Sequence, residues 1–184
     1  MMRFKLARLL AATGCLALAV CLANALPAGA AALVDGSGDP AVASSENGKY
    51  FDKDGNPTFK VGTDGTVDWA TYSGFRRYHS ECHVCHGPEG EGSSYAPALK
   101  ESLKRLSYAD YAAVVTNGRI NVSASSNNVM PAFGLNTNVM CYMDDIFVYL
   151  RARSNEVVPR GRPPGREDKT AATTEAENSC LGQK

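Results

Sequence analysis

The sequence predicts a mostly α-helical domain, with a small β-hairpin extension ahead of it and a C-terminal tail tied down by a disulfide. Three observations carry this. Three segments each open with a polar capping residue between a hydrophobic staple pair. One earlier segment alternates aromatic and β-branched residues between turn signals. A late cysteine, Cys180, sits in a tail that otherwise shows no periodicity.

The first thirty of the 184 residues read as an export leader. Arg3, Lys5 and Arg8 form a positive head, Leu9 to Ala23 an apolar run, and Ala28-Gly29-Ala30 a small-residue cleavage site. The run is shorter than the roughly 20 residues a membrane span needs, and Pro27 follows it. Lipidation fits neither Cys21, which follows the bulky Val20, nor Cys15, which follows too short an apolar run. The expected organisation is therefore leader 1–30, extension with hairpin 31–66, main domain 67–154 and irregular tail 155–184. Of the 19 basic residues three leave with the leader, against 19 acidic residues that stay, so the mature charge is about −3. That excludes a general basic field for nucleic acid.

Residues 31–47 are small and polar, which suits a flexible segment. "GKYFDKDGNPTFKVGTDGTVDW" then reads as a short β-hairpin, with turn signals at Asp54-Gly55-Asn56-Pro57 and Asp64-Gly65. A calcium loop starting at Asp52 is disfavoured, because Thr63 stands where the closing glutamate belongs and Pro57 interrupts the loop. Asp68 caps a first helix running to about His79, stapled by Val67 and Tyr72. Ser107 and Asp110 form a capping box for a second, stapled by Leu106 and Tyr111 and ended by Gly118. Asn136 caps a third, stapled by Leu135 and Met140. This last helix carries two apolar stripes, Val139/Tyr142/Ile146/Tyr149 and Met140/Met143/Phe147/Leu150, so it must pack on two sides. Cys141, Asp144, Asp145 and Val148 form its wetter face.

Cys82, Cys85, Cys141 and Cys180 remain after the leader is removed. In an oxidising compartment they should end as disulfides or cofactor bonds, and the arithmetic suggests one pair of each. A Cys141 to Cys180 disulfide would hold the tail against the third helix; the alternative is a free or intermolecular Cys180.

Cys82-His83-Val84-Cys85-His86 is a C-x-x-C-H sequence, the attachment signature for c-type haem. Thioethers from Cys82 and Cys85 would place His86 as the proximal iron ligand. A thioredoxin-like dithiol needs a surrounding βαβ pattern, and a zinc site a second ligand pair; neither is present in the sequence. His79 ends the first helix and His83 is expected to face solvent, so neither is a ligand candidate. For the sixth iron position Met130 is preferred, because Pro131 holds it in an extended loop, whereas Met140 and Met143 lie on a helical stripe where core packing is the default. Such a His and Met ligated haem c transfers one electron and leaves no open site for oxygen or peroxide.

Gly74, Tyr78, "CHVCHG", Pro97 with Leu99, "NVMPAFG" and "IFVYLRARS" closely resemble the class I cytochrome c domain over roughly residues 67–154. That resemblance implies a crossing of first and last helices at Gly74, Tyr78 and Tyr149. It also implies a hydrogen bond from His86 Nδ1 to the Pro97 carbonyl. The longer run from "GKYFDKDGNP" to "APAL", with "NVMCYMDDIFVYLRAR", "RGRP" and a late cysteine, resembles the four-cysteine cytochromes of methanol metabolism. Members of that group accept electrons from periplasmic pyrroloquinoline-quinone (PQQ) alcohol dehydrogenases, notably the lanthanide-dependent methanol dehydrogenases. By resemblance, this chain is a monomeric periplasmic carrier, not an enzyme and not membrane-embedded, passing electrons to a terminal oxidase or another cytochrome. A general respiratory carrier, a peroxidase-like haem enzyme with a displaceable sixth ligand and a dehydrogenase subunit are the competing readings.

Charge adds a docking hint: residues 31–68 are net acidic and residues 151–169 net basic, a polarity able to orient a partner. Arg151, Arg153, Arg160 and Arg162 could instead pair with haem propionates.

Overall fold

The structure is a computed structural model that describes residues 42–123 and 126–183. The leader, its cleavage site, Cys15 and Cys21 lie outside the described residues. In chain order the elements are β1 (Ser44–Glu46), β2 (Lys49–Phe51), β3 (Pro57–Thr58), β4 (Thr66–Val67), α1 (Trp69–Glu81), α2 (His83–His86), α3 (Leu99–Ser102), α4 (Tyr108–Asn117), β5 (Arg119–Ser123), β6 (Ser126–Met130), α5 (Thr137–Met140), α6 (Met143–Ser154), β7 (Gly165–Arg166) and α7 (Ala171–Cys180).

Helices dominate, as expected, and the extension carries more than one hairpin. β1, β2 and β3 form a three-stranded antiparallel sheet. Its first turn is Asn47-Gly48, both at positive φ (53° and 81°), where the segment expected to be flexible meets the expected hairpin, and β1 itself lies within that segment. At the second turn the Asp52 carboxylate accepts from the amides of Asp54 and Asn56, each at 2.9 Å. The loop's own amides thus use the oxygen that a calcium reading would need. β4 leaves this sheet altogether and pairs in parallel with β7 of the tail.

Asp68 caps α1 as expected, accepting from the Thr71 amide at 2.8 Å and the Thr71 hydroxyl at 2.6 Å, and it also takes the Lys60 amide at 2.8 Å. The staple residues Val67 and Tyr72 are both buried. α1 crosses α6 where Gly74 lies against the Asp145 carbonyl and Tyr149. Tyr78 and Phe75 rings each sit 5.7 Å from the Tyr149 ring, so the crossing implied by resemblance is present. Ser107 caps α4, accepting from Asp110 N at 3.1 Å.

The third helix differs from expectation in three ways. It is broken into α5 and α6, because Tyr142 leaves helical geometry (φ −124°, ψ 18°). Leu135 is fully exposed, so the staple with Met140 does not form, although Asn136 still caps, accepting from Val139 N at 3.2 Å. The expected wetter face is covered: Asp145 and Val148 are both buried, and so is every residue from Asp145 to Ser154. Lys49 of the extension reaches Asp144 at 2.9 Å and Asp145 at 3.8 Å, which explains part of that cover.

The tail supplies more of it. Expected to be irregular, residues 171–180 form α7, capped by Thr170, which accepts from Thr173 N at 3.0 Å. Only Thr173 of this helix is buried, so no apolar stripe announced it. Polar contacts hold it instead. Glu177 accepts from Trp69 Nε1 at 3.2 Å, Tyr142 OH at 2.9 Å and Lys169 at 2.7 Å. Burial opposes ionisation of Glu177, yet these donors keep its carboxyl below the usual value. The Cys141–Cys180 disulfide is formed and closes the attachment. Cys180→Ser should therefore lower stability by about 2–4 kcal/mol in chemical denaturation.

The two oppositely charged ends also meet each other rather than standing free. Lys60 pairs with Glu167 at 2.7 Å, and Arg166 lies over the rings of Trp69 and Tyr72. Each pairing partner in the ion pair is the minority charge of its own segment, so the contact joins the two ends and leaves their net polarity in place.

Asp145 makes stability depend on pH. Burial pushes its carboxyl up to about 7, against the lowering effects of Lys49 and a Ser73 hydrogen bond, with Asp144 and Glu177 adding repulsion. Because the folded value lies above the unfolded one, this group's stabilising contribution is complete below about pH 4 and is lost as pH rises through about 7. Asp145→Asn should thus raise stability by about 1–3 kcal/mol at pH 8 and leave it nearly unchanged at pH 4. Lys49 keeps Asp144 as its partner in that variant. Unfolding midpoints measured at the two pH values provide the check.

Candidate haem site

α1 delivers the cysteine motif. Its last turn ends at Cys82, whose amide bonds Tyr78 O at 2.9 Å, and the chain continues at once into α2. Cys85 N and His86 N both reach Cys82 O, at 3.3 and 3.1 Å, so the motif is a tight helical turn. Spacing of three and four residues sets Cys85 and His86 on the same face as Cys82. Both cysteines are free thiols, Cys85 exposed and Cys82 half-buried. Burial, helped by Glu81 and Cys85, pushes the Cys82 thiol up to about 12. A dithiol redox centre needs the opposite shift.

His86 is buried, and its Nδ1 lies 3.0 Å from the Pro97 carbonyl. A carbonyl only accepts, so Nδ1 carries the proton and Nε2 keeps a free lone pair. Burial lowers the ring's pKa, with the Pro97 bond opposing, which leaves a neutral imidazole of the kind iron binds.

The loop after His86 is clamped by a residue whose part the sequence did not reveal. Tyr78, fully buried, donates its hydroxyl to Gly87 O at 2.5 Å and accepts from Gly90 N at 2.9 Å. The resemblance implied for Tyr78 only a part in the helix crossing. Gly92 N then returns to His86 O at 2.7 Å, and Ser93 Oγ donates to Cys85 O. Gly87 (φ +73°) is required here, because a Cβ would stand 2.2 Å from Gly92 O.

His79 bonds Phe75 O through Nδ1 at 2.8 Å. His83 does not face solvent as expected: it is half-buried and stacked on His79, with centroids 5.8 Å apart. Its Nδ1 is buried without a hydrogen-bond partner. The reason is local, since α1 and α2 run nearly continuously and residues four apart share a helix face.

Met130 is the last residue of β6, half-buried, and packs against the core cluster that also receives Cys82, Leu99 and Phe133. Gly118 makes that placement possible. Its Cβ would lie 2.6 Å from Met130 O and 2.8 Å from Ala132 N, so the strand returns hard against the end of α4. The sequence marked Gly118 only as a helix stop. Met143 packs against the same cluster from the start of α6, while Met140 lies in α5.

The four arginines considered for propionates have other partners. Arg151 donates to Leu103 O at 2.7 Å; Arg153 donates to Val158 O at 2.5 Å and to Glu91 at 3.1 Å. Arg160 pairs with Glu89 at 3.3 Å, and Arg162 donates to Tyr72 OH. Arg151 and Arg153 are buried on backbone carbonyls, whereas Arg160 is largely exposed beside Glu89.

Two free thiols on one helical turn and a neutral imidazole with Nε2 unprotonated form a donor set that fits covalently attached haem, and the Met130 thioether at the end of β6 packs on the same core cluster as Cys82. Helical fold and site together define a haem protein of the c type. The comparisons agree with this class. A family model described as "Cytochrome C oxidase, cbb3-type, subunit III" matches residues 70–150. Cytochrome c-555 of Methylococcus capsulatus (strain Bath) is 43% identical over 96 residues, 52% of this chain and 72% of that protein. The chain belongs to the c-type cytochromes, which bind haem c covalently.

Two likenesses within that family are stronger. Cytochrome c-553I of Paracoccus denitrificans is 52% identical over 136 residues, covering 74% of this chain and 60% of that protein, so the chain spans less than two thirds of that relative. The crystal structure of c-type cytochrome XoxG from Methylobacterium extorquens AM1 superposes with a TM-score of 0.71 at 57% identity, over 76% of this chain and 86% of that one.

Proposed function

We propose that this chain is a periplasmic mono-haem carrier that accepts single electrons from a PQQ-dependent, lanthanide-type methanol dehydrogenase and passes them to a terminal oxidase or another cytochrome. In this reading Cys82 and Cys85 form the thioethers, His86 and Met130 are the axial ligands, and Pro97 orients His86. The observation that carries it is the His86 to Pro97 bond beside two free thiols. Haem held by this imidazole and thioether would supply reversible one-electron transfer. The chain's own part is positional. Pro97 holds the imidazole tautomer, Tyr78 clamps the loop behind it, and Gly118 sets the height of the Met130 strand.

The dehydrogenase partner rests on the four-cysteine pattern, and the likeness to cytochrome c-553I and XoxG supports it. No described helix is long and apolar enough to cross a membrane, which is compatible with release into the periplasm after the leader is cut. Stopped-flow mixing of the oxidised protein with reduced lanthanide methanol dehydrogenase tests the reading. Haem reduction in the α-band region is expected within the mixing experiment. No reduction by that enzyme, with normal reduction by ascorbate, would remove the partner.

A further inference from the structure

The hairpin that carries Met130 has a second face. Its register pairs Arg119 with Met130, Ile120 with Val129, Asn121 with Asn128 and Val122 with Asn127. Side chains alternate across a strand, and directly opposed residues share a face. Met130 therefore shares one face with Arg119, while Ile120, Val122 and Val129 share the other. Met130 packs inward on the core. The opposite face looks out: Ile120 is 77% exposed, Val122 59% and Val129 59%. Ile120, Val122 and Val129 thus stand on the opposite side of the hairpin from the Met130 thioether.

Exposed β-branched residues are common singly but not as a cross-strand group on one face. The surrounding chain is also unusual, since no Asp, Glu, Lys, Arg or His occurs between Arg119 and Asp144, in a protein that is 21% charged. Depletion of charge around an apolar centre is the composition of an interface core.

We propose that the outer face of β5 and β6 is the docking ridge for the electron-donating protein, an inference that rests on the electron-carrier reading above. Area and placement choose this occupant over a second copy of the chain. Three small aliphatic side chains make a patch of at most a few hundred Å². A stable dimer needs roughly 800 Å² from each partner, whereas transient electron-transfer encounters occupy the low end of the size range. A carrier must release its donor after each electron, and a small apolar contact allows that. The ridge also lies on the back of the strand that ends in the ligand candidate, so a protein seated there is one strand's thickness from Met130. The complementary surface on the donor is apolar and uncharged at its centre, and association through it depends little on salt.

The test substitutes the exposed cross-strand pair, Ile120→Lys with Val129→Lys, in the holoprotein, and uses Val42→Lys as a control at an exposed aliphatic outside the hairpin. The second-order rate constant for haem reduction by reduced lanthanide methanol dehydrogenase is expected to fall at least ~10-fold in the double variant. Ascorbate reduction, reduction potential and circular dichroism should stay at wild-type values, as should every property of the Val42 variant. An unchanged rate with the dehydrogenase would overturn the ridge while leaving the carrier reading intact. If wild-type protein sediments as a dimer that the double variant disrupts, at unchanged donor rate, the face is a self-association surface and the proposal is wrong. If the dehydrogenase fails to reduce even the wild type, the partner reading fails first and takes the ridge with it.

Discussion

Gly74→Ala is expected to destabilise the fold by about 3–5 kcal/mol, enough to leave much of the population without a native haem pocket. The added Cβ would stand 1.8 Å from the Asp145 carbonyl oxygen and 2.8 Å from Tyr149 Cβ. No rotamer change relieves a clash with backbone, so α1 and α6 must separate along their shared seam. That seam holds Tyr78, Tyr149 and the start of the cysteine motif, which makes the loss cooperative. Gly55→Ala is the matched control. Its Cβ meets nothing within 4 Å, and only its φ of +79° disfavours alanine, so its cost should stay near 1 kcal/mol. Denaturant midpoints followed by far-UV circular dichroism separate the two. A Gly74→Ala protein within about 1 kcal/mol of wild type would mean that the helices do not cross this closely.

Met130→Ala is expected to remove the Met-to-ferric-iron absorption band completely and to let the reduced protein bind carbon monoxide. Loss of a Met ligand should also lower the reduction potential, since Met/His ligation raises it relative to more basic donors. Met140→Leu and Met143→Leu should keep the band, because either change conserves volume at its position. If the band survives in Met130→Ala and disappears in one of the others, the axial assignment moves to that methionine. Because Met130 also packs on the core cluster, an unfolding midpoint measured on the same variant separates loss of the ligand from loss of packing.

Much of the helical frame was legible because its signals are local. Asp68, Ser107 and Asn136 each announce a helix start, and each is seen accepting from the amide three residues on. The cysteine motif is equally local, five residues on one turn. Leu135 shows the limit of such signals: the staple pattern was present, yet the residue is fully exposed. His83 was misplaced as well. A C-x-x-C-H string does not say that α1 runs on into it and stacks His83 on His79.

By itself, the sequence determined the capped helices, the haem-attachment turn and the one cysteine pair left for a disulfide, since each depends on residues close together or on simple counting. Tertiary structure alone decided what surrounds α6. Lys49 from the extension reaches Asp144 at its start and Glu177 from the tail takes the Tyr142 hydroxyl just before it, and neither leaves a periodic mark, because each acts through single polar contacts between distant segments. It also decided the work of Tyr78 and Gly118. A hydroxyl bridging two loop amide groups and a missing Cβ that admits a strand are properties of approach distance, which no spacing of residues encodes.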